Sequence, residues 1–245
     1  MTISKISATA STNSYLKKLL KEKKLPDSFV VFAEEQTAGR GQMATSWQSQ
    51  RSKSLTFSVF KELKNFEIEN RFFLSKVVSL AVSDTLLHFQ IPEISIKWPN
   101  DILSADKKLC GILIENIIQK QQIKNCVIGV GINVNENFFD DLPNATSMKL
   151  QTGTAFDRDE VLNCFLEKLN QNWKLMETEQ FSEIDRIYLN RLYRLNKISV
   201  FENKAQEKFV GNIKGVSVEG KLLVEIDNNE VLPFDLKEIK FLPQL

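Results

Sequence analysis

The chain has 245 residues, 42% hydrophobic and 26% charged, enough for one large core or a main domain plus a small one. Lysine and arginine number 32 against 31 acidic residues, so a formal charge of +1 supplies no field to draw the chain onto nucleic acid or an anionic membrane. No apolar run approaches the roughly 18 residues that span a bilayer, and the opening MTISKISATASTN lacks the basic start and apolar stretch of a secretory signal. A cytoplasmic protein with neither membrane nor nucleic-acid partner is expected.

Taken in chain order, Ser11 or Thr12 caps a helix to about Lys24 with Tyr15, Leu16, Leu19 and Leu20 on one face. FVVFAEE, 29 to 35, reads as a strand. Residues 36 to 53 have no apolar period and form a loop longer than a bare connection needs, which marks it as a functional segment. SLTFSVF, 54 to 60, is the next strand, and 71 to 89 recurs helically through Phe72, Phe73, Val77, Leu80, Ala81, Leu86 and Leu87. ISIKW (94 to 98), KLCGILIENII (108 to 118) and KNCVIGVGINV (124 to 134) are strands, the last two a hairpin about 119 to 122.

Asp157 and Glu160 make a capping-box-like start to a helix over 158 to 177, and a shorter helix follows near 181 to 194. From Lys197 onward, short alternating runs split by Asn, Gly and Asp predict a small all-β unit of about 50 residues. Cys110, Cys126 and Cys164 have no metal-like spacing, and the single His88 is expected as a partly buried helix-end residue, so zinc sites and histidine clusters are excluded.

Nine glycines fall below the usual usage of about 7%, yet Gly39 and Gly41, Gly111, and Gly129 and Gly131 are grouped. Such groups serve either close approach to a ligand or plain turns and bulges. The first satisfies the letter of the dinucleotide pattern G-x-G-x-x-A, with Glu62 near the acidic position. TSWQSQRSKS follows it, however, where that motif needs a helix to face a pyrophosphate. Gly215 to Lys221 has phosphate-loop spacing, but Leu222 stands where a hydroxyl should hold magnesium and a strand follows, so a hairpin turn explains it better.

Polar clusters at strand ends remain. Arg40, between two glycines, suits bidentate contact with carboxylate or phosphate, although a lone loop arginine is commonly just solvated. Lys97-Trp98-Pro99-Asn100-Asp101 projects an amide and a carboxylate, hard oxygen donors of the kind magnesium takes beside phosphates; a simple Pro-Asn-Asp turn accounts for the segment equally well. Lys108 sits in a half-buried place, costly unless an anion meets it. Gly129-Val-Gly131-Ile-Asn133 lays bare backbone along a strand and ends in an amide able to read a purine edge or a ribose. Together these suit activation of a carboxylate by ATP.

STNSYL, AEEQTAGRGQ followed by W-x-S, SIKWPNDIL, KKLCGILIEN, VIGVGINVN and NATSM occur in the order and spacing of one family: the chain resembles the bacterial biotin-protein ligases over essentially its whole length. The resemblance implies an α+β fold, with a mixed sheet and helices like those of class II aminoacyl-tRNA synthetases over 1–195 and a small SH3-like β-barrel over 196–245. It implies that biotin and MgATP give biotinyl-5′-adenylate, which a lysine of a biotin carboxyl carrier protein then attacks. Residue by residue, Ser11, Thr12, Asn13 and Gln36 would bind biotin with Gly39 and Arg40, over a floor of Gly111 and Ile112. Arg40 and Lys108 would be catalytic, holding the carboxylate and α-phosphate. Gln42, Trp47, Lys97, Gly131 and Asn133 would join Arg40, Asn100 and Lys108 around ATP, and Asn100 and Asp101 would serve magnesium.

The chain departs from the family's usual loop at Gln42, where a second arginine is common, and at Ser52 and Ser54, where glycine and asparagine are common. Only about ten residues precede STN, so the DNA-binding domain of many relatives is not implied, whereas a homodimer through the central sheet is compatible with the family. A lipoate or octanoate ligase of the same fold, or a catalytically inactive carrier-binding regulator, are the alternatives.

Overall fold

The computed structural model describes residues 2–140 and 142–243. Strand β1 (Ile3–Ile6) is followed by α1 (Thr12–Glu22), β2 (Val30–Ala33), a two-stranded flap of β3 (Gly39–Arg40) and β4 (Ser46–Trp47), and the long β5 (Leu55–Glu67). Helix α2 (Arg71–His88) leads to β6 (Ile94–Lys97), β7 (Asp101–Ser104), β8 (Lys107–Gln119) and β9 (Gln122–Ile132). Helices α3 (Met148–Thr152), α4 (Arg158–Glu177) and α5 (Phe181–Asn190) precede β10 (Ile198–Asn203), β11 (Lys208–Val216), β12 (Leu222–Glu225), β13 (Val231–Phe234) and β14 (Ile239–Phe241).

Seven strands form the main sheet in the order β1-β2-β5-β9-β8-β7-β6, with β1 parallel to β2 and the other pairs antiparallel. Strand alternation assigns its two faces. Phe32, Phe57, Val59, Ile112, Ile128, Val130 and Ile132 are buried against α2 and α4, in one cluster with Val77, Leu80 and Phe165. On the other face, Leu16 of α1 covers Val31, Phe60 and Val127. The rest of that face is nearly bare: Thr56 pairs with Gly131 and Gly131 with Gly111, while Ser58 pairs with Gly129 and Gly129 with Leu113. A sheet with small residues in this row leaves room above it. The β8–β9 hairpin turns on Lys120 and Gln121 at φ 50 and 62, the left-handed pair that a two-residue turn of type I′ requires.

The five C-terminal strands, in the order β13-β12-β11-β10-β14, make an antiparallel sheet crossed from edge to edge by contacts of Phe241 with Phe201, Phe201 with Phe209 and Phe209 with Phe234. Its Phe201, Ile213, Leu222 and Val224 belong to the same buried cluster as α2. Trp98 Nε1 donates to the carbonyl of Gly220 at 2.8 Å, and Gly220, at φ 95, lies so close to α2 that a Cβ would come within 2.5 Å of Phe72.

Several expectations shift. α5 ends at Asn190 rather than near 194, because Arg191 to Tyr193 leave the helix to hydrogen-bond with Ile96 of the edge strand β6. His88 is exposed at the end of α2, edge-on to Phe89, not partly buried. β1, β7 and α3 are too short and too polar to show an apolar period.

Candidate functional site

The bare face of the main sheet opens into a cavity of about 290 Å³ lined by α1, the flap, β7, β8 and β9. Ser11 stands at the start of α1, yet its side chain makes no cap bond. Gln36 supplies the cap instead: its Oε1 accepts from Thr12 N–H at 2.8 Å and from Thr12 Oγ1 at 3.1 Å. Ser58 Oγ lies 2.7 Å from Thr12 Oγ1 and 2.6 Å from Asn13 Oδ1, and Asn13 packs so tightly on Gly129 that a Cβ there would meet Asn13 Oδ1 at 2.5 Å. Asn13 Nδ2 donates to Glu115 at 2.9 Å, and Glu115 also accepts from Lys17 at 2.6 Å and Arg40 Nη2 at 3.0 Å. This end of the cavity is a preorganised polar network.

At the other end Lys108 Nζ is 2.7 Å from Asp101 Oδ1, an ion pair whose angles do not make it a hydrogen bond; the anion expected beside Lys108 is therefore a residue of the protein itself. Asn100 Nδ2 donates to Ile112 O at 2.8 Å, so the amide is oriented by the backbone of β8. Trp47 lies across the paired glycines: a Cβ on Gly131 would meet its indole at 2.5 Å, and one on Gly111 at 2.9 Å. Its Nε1 is buried without a partner among the described residues.

A second cavity, of about 830 Å³, adjoins the first and shares Ser46, Trp47, Asp101 and Lys108 with it. Lys97 and Asn133 line this second space, apart from the first. Burial pushes the Lys97 ammonium below its ordinary pKa, the charge of Asp101 opposes that, and Arg194 and Lys108 add to it. Asn133 Nδ2 is committed to Thr146 O at 2.9 Å. Gly39 pairs with Trp47 in the flap and lines neither cavity.

The first cavity thus gathers Ser11, Thr12, Asn13, Gln36, Arg40, Gln42, Trp47, Asn100, Asp101, Lys108, Gly111, Ile112 and Gly131. Ile112 contributes backbone, because its side chain is buried on the helix-covered face. Sequence reasoning missed Ser58 and Lys17, and named Glu115 only as the end of a motif; their signal was polar residues on the bare-face parity of β5 and β8 and one turn beyond Asn13. It also missed Leu236 and Lys237, which reach the cavity from the C-terminal sheet and carry no local signal. Burial pushes the Cys110 and Cys126 thiols far up, so neither is a nucleophile near neutral pH.

Fold and site together define a two-sheet α+β protein with adjoining ligand cavities over glycine-bare strands. The chain belongs to the biotin/lipoate A/B protein ligase family, which matches residues 6–133. It is 29% identical over 204 residues to the bifunctional ligase/repressor BirA of Bacillus subtilis, covering 82% of this chain and 62% of that relative's length. To the biotin–[acetyl-CoA-carboxylase] ligase of Paracoccus denitrificans it is 28% identical over 226 residues, covering 89% of this chain and 92% of the relative. The solved biotin protein ligase from Aquifex aeolicus in complex with biotin and ATP matches with a TM-score of 0.81 and 28% identity, over 99% of each chain.

Proposed function

We propose that the chain is a biotin–protein ligase that joins biotin and ATP to give biotinyl-5′-adenylate and pyrophosphate, then transfers biotin to a lysine of a biotin carboxyl carrier protein. The observation that carries this reading is one cavity with a preorganised polar network at one end and Lys108, Asp101 and Asn100 at the other, over a row of glycines and small residues in the sheet. The match to a ligase solved with biotin and ATP supports it.

In this reading Ser11, Thr12, Asn13 and Gln36 present fixed polar atoms to the ureido ring, Ser58 fixes Thr12 and Asn13 from behind, and Gly129 leaves room for Asn13. Arg40, held by Glu115, and Lys108, held by Asp101, bring cations to the place where a carboxylate attacks the α-phosphorus. Two anions repel, so fixed positive groups there lower the barrier most as charge grows. Trp47 covers Gly111 and Gly131 and excludes water from the acyl phosphate.

No group of three or more His, Cys, Asp or Glu gathers among the described residues, but Asp101 and the Asn100 carbonyl fit magnesium held largely through triphosphate oxygens. Bound there, magnesium would neutralise phosphate charge, sharing the Asp101 carboxylate with Lys108. The division at 195/196 is part of the proposal: 1–195 carries the chemistry and 196–245 closes the nucleotide side. So are the cytoplasmic setting, supported by three free cysteines, and pairing of two copies through the central sheet, which sedimentation checks. Among the described residues no helix is long and apolar enough to cross a membrane.

Biotin-dependent ATP–pyrophosphate exchange tests the reading, with exchange expected for biotin and not for lipoate or octanoate. Exchange with lipoate or octanoate alone would assign the other branch of the family, and carrier binding without exchange would make the chain a regulator.

A further inference from the structure

We propose, on the ligase reading above, that Glu136 is a positioning residue that ties the flap-bearing segment 36–54 to the segment 133–147, so that the walls of the two cavities close together. Glu136 is 1% exposed; one carboxylate oxygen accepts from Ser54 Oγ–H and the other has no hydrogen-bond partner among the described residues. A half-satisfied buried carboxylate is costly, and an apolar residue would pack there more cheaply if packing were all that was needed. Among the described residues it is the buried side-chain bond between the two segments, which are also joined by Gln50 Nε2 donating to Phe138 O at 3.1 Å near the surface and by Asn135 N–H donating to Lys53 O at 3.2 Å.

On one side of it, Ser54 Oγ also accepts from Gln50 N–H at 3.0 Å and closes the segment that carries Arg40, Gln42 and Trp47. That segment needs tethers. Ser52 sits at φ 58, a left-handed conformation that favours glycine, and is held by Ser52 Oγ on Glu34 at 3.2 Å, while Arg158 donates to Glu34 and to Ser54 O. On the other side, Ser147 Oγ donates to the Glu136 carbonyl at 2.7 Å and Asn133 closes on Thr146, which forms a neck. Beyond the neck, Lys108 N–H donates to Asn144 O at 2.7 Å and Thr146 N–H to Lys108 O at 2.9 Å. A continuous set of bonds therefore runs from the flap through Glu136 to the backbone of Lys108.

Hydrogen–deuterium exchange and steady-state pyrophosphate exchange on wild type, Glu136→Ala, Glu136→Gln, Ser54→Ala and the Ser54→Ala/Glu136→Ala double variant test the tether. Glu136→Ala and Ser54→Ala are each expected to speed hydrogen exchange in both segments and to raise KM for biotin and for ATP together, by about tenfold, with kcat little changed. The double variant should add nothing to either single one, and Glu136→Gln, whose amide oxygen still accepts from Ser54, should restore both KM values. Loosening of one segment only, additive effects, or a lower Tm with both KM values unmoved would overturn the proposal. Should Glu136→Ala not fold, Ser54→Ala and Glu136→Gln carry the same test. A wild type without biotin-dependent exchange would sink the ligase reading, while hydrogen exchange would still decide the tether.

Discussion

Lys108 and Asp101 hold each other at 2.7 Å where β7 and β8 pair, directly beside Gly111. An ammonium kept in place by a carboxylate is ready to meet phosphate charge without reorganising. Lys108→Ala is therefore expected to slow adenylate formation by about 10² to 10³ while aminolysis of supplied biotinyl-adenylate changes far less. Assaying the two half-reactions separately decides it. Equal loss in both would mean damage to the fold or to binding shared by the steps.

The two glycines of β9 should respond differently to a methyl group. At Gly129 the new Cβ meets Asn13, which is buried and bonded to Ser58 and Glu115, so Gly129→Ala should lower Tm and weaken biotin binding together. At Gly131 it meets the indole of Trp47, on the two-stranded flap that pairs with neither large sheet, so Gly131→Ala should weaken ligand binding with Tm nearly unchanged. Calorimetry of both variants, with and without biotin, separates the cases.

Two carboxyls should leave opposite marks on stability against pH. Burial acts to raise the pKa of Glu115, but hydrogen bonds from Lys17 and Asn13 and the charges of Arg40 and Lys17 outweigh it and hold the group below its ordinary 4.5. Its contribution is thus present above that value and is lost as pH falls through the folded pKa, so Glu115→Gln should flatten the acid limb. For Glu136 burial dominates, and the Ser54 hydroxyl together with the nearby backbone N–H groups of Glu136, Val134 and Asn135 only partly offsets it, leaving the group raised. The fold then favours its protonated form and loses stability as pH rises from 4.5 through the folded pKa, so Glu136→Gln should raise Tm at neutral pH. Melting curves over about pH 3 to 8 check both signs.

Lys237 reaches the first cavity from the turn between β13 and β14 of the C-terminal sheet, at φ 68. Lys237→Ala is expected to raise KM for ATP several-fold and leave biotin affinity in the absence of ATP unchanged. Titration calorimetry with biotin alone, beside exchange kinetics, makes the distinction.

Gln42 lines the same cavity from the turn between the flap strands. An arginine there would add a charge-assisted hydrogen bond of roughly 1.5 to 3 kcal/mol. Gln42→Arg should slow release of biotinyl-adenylate by up to about a hundredfold, with biotin affinity scarcely altered. A chase of labelled adenylate that gave identical dissociation rates would show that this position does not hold the intermediate.

Much of this was legible because the signals are local. The helical recurrence of Phe72 to Leu87 and the box at Asp157 place α2 and α4 within a residue or so, and the scarcity of glycine points to the bare strands before any partner is known. What escaped depends on partners distant in the chain. Nothing about Ser58 or Glu115 shows that each will face α1, and Leu236 and Lys237 look like ordinary turn residues until the second sheet folds back. The idle side chain of Ser11 is the same lesson reversed: a good capping residue makes no cap bond, and the first N–H of the helix, at Thr12, is met by Gln36, two dozen positions on.

The bond from the Trp98 indole to the carbonyl of Gly220, with Phe72 wedged beneath that glycine, constrains how such a protein can be recombined. The tail of about fifty residues reads as an interchangeable module. Its seat, however, is shaped jointly by an aromatic pair in the body and a missing side chain in the tail. A graft that brings any other residue to position 220 would lift the second sheet from α2, and with it withdraw the Leu236–Lys237 turn from a site whose remaining parts were left untouched.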